Sequence, residues 1–511
     1  MGRALRRGLV RAVDARRGPL MVASPRLTEL TVDEYRAASG LELGRRVAGG
    51  ELSPVHLAEL ALHLAADAEP AINAYATLLP DRARAAAVER EAEVRAGTVR
   101  SVLHGVPIAV KDNMLEEGLP AGKGSRTSPD TPAAASSPMV GRLLEAGTVV
   151  IGRTTTPEFG WKGTGISPRT GVTRNPWDPA RNSGGSSAGS GATVGSGAVP
   201  IATGTDAGGS VRIPAAFCGA VGLKPTLGAI PVWPGTVNEN LSHAGPITRD
   251  VRDAAAVLAL TRGPDARDPQ SYWSNPPAGD GGRRLRIGVV RSPFGIDPDG
   301  DVAESVYPAL DALVASGRAD HHEVTLPADL PRSVFEALWV TGRGLGFREL
   351  ARSRGSEMDP GLVRLGPLAE EYSLADYYAA LTARREFNAA MAGFLDEWDL
   401  LVMPTMPVTA FVADAEVPPG GEGDAPLPWI TWTPYTYPFN ISGQPAVTLP
   451  CGLGGPTMPT GVQVVGPWGH DERVLGYAAH AQDVLVRTNL RTVAWPPGEI
   501  RGRPDAPESA R

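Results

Sequence analysis

The chain has 511 residues, 42% hydrophobic and 21% charged, with a formal charge of −7 from 49 basic and 56 acidic side chains. These are the proportions of an ordinary folded protein. The negative balance, with no long Lys/Arg tract in the body, excludes nucleic acid and anionic membrane surfaces as the expected partners. No run of about 18 apolar residues offers a membrane span.

Residues 1–26 carry Arg3, Arg6, Arg7, Arg11, Arg16 and Arg17. Arg11 cuts the apolar run too short for a signal peptide, so the segment is read as a basic tail, with Met21 as an alternative start. Helical patterning runs from 51 to 95, opened by Ser53-Pro54 as N-cap and first-turn proline. Residues 106–110 form a short apolar strand that ends on Lys111-Asp112-Asn113. A helix over 139–146 is closed by Gly147, and a β-branched strand follows over 148–151.

Residues 182–197, NSGGSSAGSGATVGSG, have the composition of a flexible linker. The apolar segment 198–203 follows at once, which instead predicts packed backbone where side chains would not fit. Further strands are expected at 285–290, 322–326, 400–403, 445–450 and 461–465. Helices are expected at 302–316, 333–354, 374–397 and 472–484. Residues 417–428 read as an exposed loop, and 496–511 as a polar, Pro-rich tail. The alternation of short strands and helices predicts an α/β body over residues 27–495. Cys218 and Cys451 lack metal-ligand spacing and read as buried free thiols in a reducing, cytoplasmic setting.

Three positions draw attention chemically. Lys111 ends an apolar strand, where burial would disfavour its ammonium form and make it a base. Ser210 follows Gly208-Gly209 in a turn of small residues, where several backbone N–H groups can converge on one point. Ser186 and Ser187 lie in the glycine tract, where backbone can hold their hydroxyls.

The segments Gly105-Val106-Pro107-Ile108-Ala109-Val110-Lys111-Asp112-Asn113, Gly184-Gly185-Ser186-Ser187-Ala188-Gly189 and Gly204-Thr205-Asp206-Ala207-Gly208-Gly209-Ser210-Val211-Arg212 resemble the amidase signature family. The intervals agree too, with 75 residues from Lys111 to Ser186 and 24 from Ser186 to Ser210. The resemblance runs from about residue 27 to 492. It implies a large mixed, twisted sheet sandwiched between helices, and hydrolysis of a carboxylic amide without metal or organic cofactor.

By the same resemblance Ser210 is the nucleophile, Ser186 a relay held by a cis peptide bond, and Lys111 the base. The N–H groups of Ala207, Gly208, Gly209 and Ser210 would form the oxyanion hole, with Ser187, Asp206 and Arg212 in support. The partner implied is a small-molecule amide, and a homodimer is compatible with the family. Phe159, Trp161, Trp233 and Trp432 are candidates for an apolar substrate pocket, as are Trp429 and Tyr435.

Rival readings fit less well. Gly185-Ser186-Ser187-Ala188-Gly189 matches the Gly-x-Ser-x-Gly elbow of α/β-hydrolases, but Pro-broken polar sequence precedes it where a strand is required. His104 and His243 are read as structural. No Gly-Lys-Ser/Thr follows the glycine tract, which argues against phosphate binding. Within the family, the glutamine-hydrolysing component of the tRNA-dependent amidotransferase is the alternative. Ile213 after Arg212, with the 155–161 and 232–234 segments, favours a stand-alone amidase. A non-catalytic binding protein would have no use for the three reactive side chains.

Overall fold

Alternating β-branched and small residues build thirteen strands, eleven of which share one sheet. In chain order these are β1 (Tyr75–Leu78), β2 (Pro107–Lys111), β3 (Val149–Thr154), β4 (Ile166–Ser167), β5 (Gly171–Val172), β6 (Ile201–Asp206), β7 (Val221–Lys224), β8 (His243–Thr248), β9 (Arg286–Val289), β10 (Asp320–Glu323), β11 (Leu400–Pro404), β12 (Ala446–Gly454) and β13 (Met458–Val465). The computed structural model describes residues 28–272, 283–455 and 457–490. The basic segment 1–26 and the Pro-rich segment 496–511 lie outside them, as do residues 27 and 491–495.

The large sheet runs in the order β1-β3-β2-β6-β8-β7-β12-β13-β11-β9-β10, while β4 and β5 form a separate ribbon. Pairing is mixed: β3, β2 and β6 are parallel, β8 runs antiparallel to both β6 and β7, and β9 is parallel to β10 and β11. Helices cover both faces, which accounts for strands buried along their whole length. Alternate residues of β11 show the division. Leu400 and Val402 join one apolar core, whereas Leu401 and Met403 join the other. The α/β sandwich expected from the sequence is the fold observed.

Several expected elements differ in detail. The helical stretch from 51 to 95 is two helices, Pro54–Ile72 and Pro80–Arg95, with β1 between them. Asn73 adopts a left-handed conformation at φ 50° and ends the first, and the Glu69 carboxylate accepts from the N–H groups of Ala74 and Tyr75. The pattern at 333–354 likewise breaks at Phe347, giving Arg332–Gly346 and Arg348–Arg354. β10 sits two residues earlier than expected, because its parallel register with β9 pairs Asp320 with Arg286. Residues 418–424 are largely exposed, but burial resumes at Leu427.

The glycine tract is packed, as its context predicts. Ala188–Gly195 is a helix with every residue buried. A Cβ on Gly189 would stand 2.0 Å from the Ala74 carbonyl, and one on Gly185 would stand 2.3 Å from the Thr164 carbonyl. Cys218 and Cys451 are both free and buried. Among the described residues no helix is long and apolar enough to cross a membrane.

Candidate active site

Because β2 and β6 are parallel neighbours, their C-terminal ends lie side by side and bring Lys111 next to Thr205 and Asp206. The glycine tract passes over these ends with a cis Gly185–Ser186 peptide bond. Lys111 Nζ and Ser186 Oγ are hydrogen-bonded at 2.8 Å, and Lys111 Nζ also donates to Thr205 Oγ1 at 2.9 Å. Asn113 Nδ2 donates to the same hydroxyl at 3.0 Å.

Lys111 is fully buried. Burial pushes its pKa well below the ordinary 10.5, the Asp206 carboxylate opposes this, and the Arg343 guanidinium adds to it. Thr205 escaped the sequence reading because a threonine in a strand reads as a strand former. The available signal was its alternation with Thr203, whose Oγ1 accepts from the Lys111 N–H at 3.0 Å.

Ser210 and Ser186 line one cavity of about 240 Å³. The Ser210 carbonyl accepts from Ser187 N–H at 3.1 Å. Its hydroxyl is hydrogen-bonded to no described group and faces the cavity. Ser187 ties the two turns together, since its Oγ donates to the Thr205 carbonyl and accepts from the Thr205 N–H, both at 3.3 Å.

Asp206 lies behind the nucleophile turn. Its carboxylate accepts from Gly209 N–H at 2.7 Å and Val211 N–H at 3.1 Å. It also accepts from Arg212 Nε at 3.0 Å, Arg212 Nη2 at 3.1 Å and Asn440 Nδ2 at 2.8 Å. Burial alone would raise the Asp206 pKa, but the bidentate Arg212 outweighs it and holds the carboxyl below the usual carboxylate range. Arg212 in turn donates to the Thr436 carbonyl at 2.9 Å and to Asn440 Oδ1 at 2.6 Å. The expected oxyanion donors therefore need one correction. The Gly209 N–H is already engaged by a buried carboxylate, whereas those of Ala207, Gly208 and Ser210 donate to no described group.

The four aromatic candidates divide evenly. Phe159 and Trp233 line the cavity with Met114, Pro231, Val232 and Phe347. Trp161 and Trp432 do not; both belong to the second core. Trp432 stacks on Phe217 at 6.1 Å, meets Phe411 edge-on at 5.0 Å, and donates its indole N–H to the Glu416 carbonyl. Trp429 packs on Trp339 and Phe335, and the Tyr435 hydroxyl donates to the Ile296 carbonyl at 2.7 Å. His104 is structural, bonded to the Arg90 carbonyl. His243, expected to be structural too, lines the cavity while its Nδ1 bonds to the Asp206 and Leu241 carbonyls.

A buried lysine amine beside a serine hydroxyl, with a free serine and unused backbone donors on one cavity, is the equipment of an amide hydrolase. The chain belongs to the Amidase family, whose model matches residues 56–475. It is 35% identical over 492 residues to the glutamyl-tRNA(Gln) amidotransferase A-type polypeptide of Symbiobacterium thermophilum, covering 89% of this chain and 98% of that one. It is 33% identical over 472 residues to an acylamidase of Rhodococcus erythropolis, covering 89% of this chain and 97% of that one. Among solved structures, 6-aminohexanoate cyclic dimer hydrolase complexed with substrate superposes with a TM-score of 0.80 at 28% identity, covering 91% of this chain and 99% of that one.

Proposed function

We propose that the protein is a stand-alone amidase in which Ser210 is the nucleophile, Ser186 the proton relay and Lys111 the base. The observation that carries this reading is the buried 2.8 Å contact between Lys111 Nζ and Ser186 Oγ on the cavity that also holds the Ser210 hydroxyl.

Neutral Lys111 takes the proton of Ser186 while Ser186 takes that of Ser210, and Ser210 Oγ bonds to the amide carbon. The carbonyl oxygen becomes an oxyanion facing the N–H groups of Ala207, Gly208 and Ser210. The C–N bond then breaks. The proton held by Lys111 returns through Ser186 to the leaving nitrogen, which departs as ammonia or amine. Water attacks the acyl-enzyme by the same relay, releasing the carboxylate and restoring Ser210.

Glutamine hydrolysis for a tRNA-dependent amidotransferase is the competing reading, and the similarity to the Symbiobacterium polypeptide favours it. Glutamine brings an α-ammonium group that calls for a free carboxylate. Among the described cavity residues Asp206 is the one acid, and it is held by Arg212, Asn440 and two backbone N–H groups.

The test assays ammonia or amine release by the purified chain from benzamide, an aliphatic amide, an anilide and glutamine, with Ser210→Ala and Lys111→Ala alongside. Turnover of non-glutamine amides, abolished in both variants, is expected. Activity on glutamine alone would transfer the protein to the amidotransferase reading. Full activity in Ser210→Ala would refute the mechanism.

A further inference from the structure

The cavity wall carries a cation that the hydrolytic mechanism leaves unused. Arg343 lies on the helix Arg332–Gly346 and is only 6% exposed, yet it lines the cavity with Ser186 and Ser210. Its Nη1 donates to the Phe159 carbonyl at 2.8 Å, and its guanidinium lies over Trp339 at 4.8 Å and Phe347 at 5.9 Å. The next residue after Phe159, Gly160, abuts the relay. A Cβ there would stand 3.1 Å from Ser186 Oγ.

Among the described residues no carboxylate pairs with Arg343, and its Nε is buried without a partner. Every other deeply buried cation at this site is accounted for. Arg212 is paired with Asp206, and Lys111 serves as the neutral amine. Burial lowers the Arg343 pKa to about 10, which still leaves it charged at neutral pH. A buried guanidinium without an anion is costly, and a neutral side chain would fill the same aromatic niche at less cost. Lys123, half-buried on the same wall, adds a second cation and makes no described ion pair. The cavity is thus cationic within a chain of net charge −7.

We propose that Arg343 is the anion-binding residue of the active site and that the hydrolysed amide carries a carboxylate, which the guanidinium engages while Ser210 attacks the amide carbon. This rests on the hydrolytic reading above and narrows its substrate class. The planar fork of arginine matches a carboxylate, and a cavity of about 240 Å³ suits a small acid amide.

The test compares malonamic, succinamic and glutaramic acids with malonamide, succinamide and glutaramide. Each diamide replaces the carboxylate by a neutral group of the same shape. For the best-fitting pair, wild-type kcat/KM for the acid should exceed that for the diamide by about 10- to 100-fold, the worth of one charged hydrogen-bonded contact. In Arg343→Met that ratio should collapse towards one, mainly through KM, and Arg343→Lys should restore part of it. A merely structural arginine would lower both substrates together and leave the ratio unchanged, which overturns the proposal. So does a wild type that treats acids and diamides alike.

Calorimetry of the three acids with Ser210→Ala separates this inference from the mechanism. Binding by Ser210→Ala that weakens at least about 10-fold on adding Arg343→Met supports the anion site even where wild type turns over no amide. In that case only the hydrolytic reading fails. Absence of binding by all three acids overturns the anion site.

Discussion

Replacing Lys111 by methionine gives a test of its charge state that does not depend on knowing the substrate. In the unfolded chain this lysine titrates at its ordinary 10.5, whereas burial holds it well below that in the folded protein. Between those two values the unfolded state binds one more proton than the folded state. Wild-type stability from this group therefore rises with pH by about 1.4 kcal/mol per unit, and it is lost as pH falls towards the folded value. Lys111→Met has no such slope, and its flexible side chain suits the same space. It does lose the contacts to Ser186 and Thr205, about 1 kcal/mol each and nearly independent of pH.

The expected result is a variant whose stability relative to wild type is greatest near neutral pH and declines by about 1.4 kcal/mol for each unit between pH 9 and 10. Urea unfolding at pH 8, 9 and 10 measures it. The other buried lysine with a lowered pKa, Lys224, is present in both proteins and cancels. Parallel stability curves would show that Lys111 folds as the ammonium ion, and the proton relay would lose its base.

Two further outcomes follow from the same contacts. Thr205→Val keeps shape but removes the hydroxyl bonded to Lys111 and Asn113, so kcat/KM should fall about 10-fold in steady-state kinetics; an unchanged rate would refute its part in holding the amine. Phe159→Ala and Trp432→Ala should separate cavity from core. Trp432→Ala should cost about 3–5 kcal/mol in urea unfolding. Phe159→Ala should chiefly raise KM for aryl amides and cost about 1 kcal/mol through its lost stacking on Phe347 at 4.5 Å.

The positions of Lys111, Ser186 and Ser210 were legible because each stands in a contiguous motif whose small neighbours mark close backbone packing. Thr205 and Arg343 stand in no such motif. Arg343 follows Ser210 by more than a hundred residues on a helix, and its only mark is the apolar face it shares with Phe335 and Trp339 at four-residue spacing. Such a stripe fixes a face but not what the face meets. Trp161 and Trp432 were misplaced for the same reason. Indole chemistry is identical in a cavity wall and in a core, so Trp233 and Trp432 read alike until the chain is folded. The break at Asn73 was open to reading, since asparagine tolerates the left-handed turn, but the flanking alanine-rich periodicity masked it.

The buried charges also depend on one another in a way no single motif reveals. Asp206 must stay ionised to hold the Gly209 and Val211 N–H groups, and so to fix the turn that carries Ser210. The same carboxylate lies close enough to Lys111 to favour its ammonium form, which would disable the base. Arg212 resolves the conflict. Its bidentate pairing keeps Asp206 ionised while offsetting the field that the carboxylate exerts on the lysine. Arg343, on the opposite side of the cavity, pushes Lys111 further towards the neutral amine. An anion that settles on Arg343 would weaken that push and raise the basicity of Lys111. A bound carboxylate would thus strengthen the base at the moment a substrate proton has to be taken.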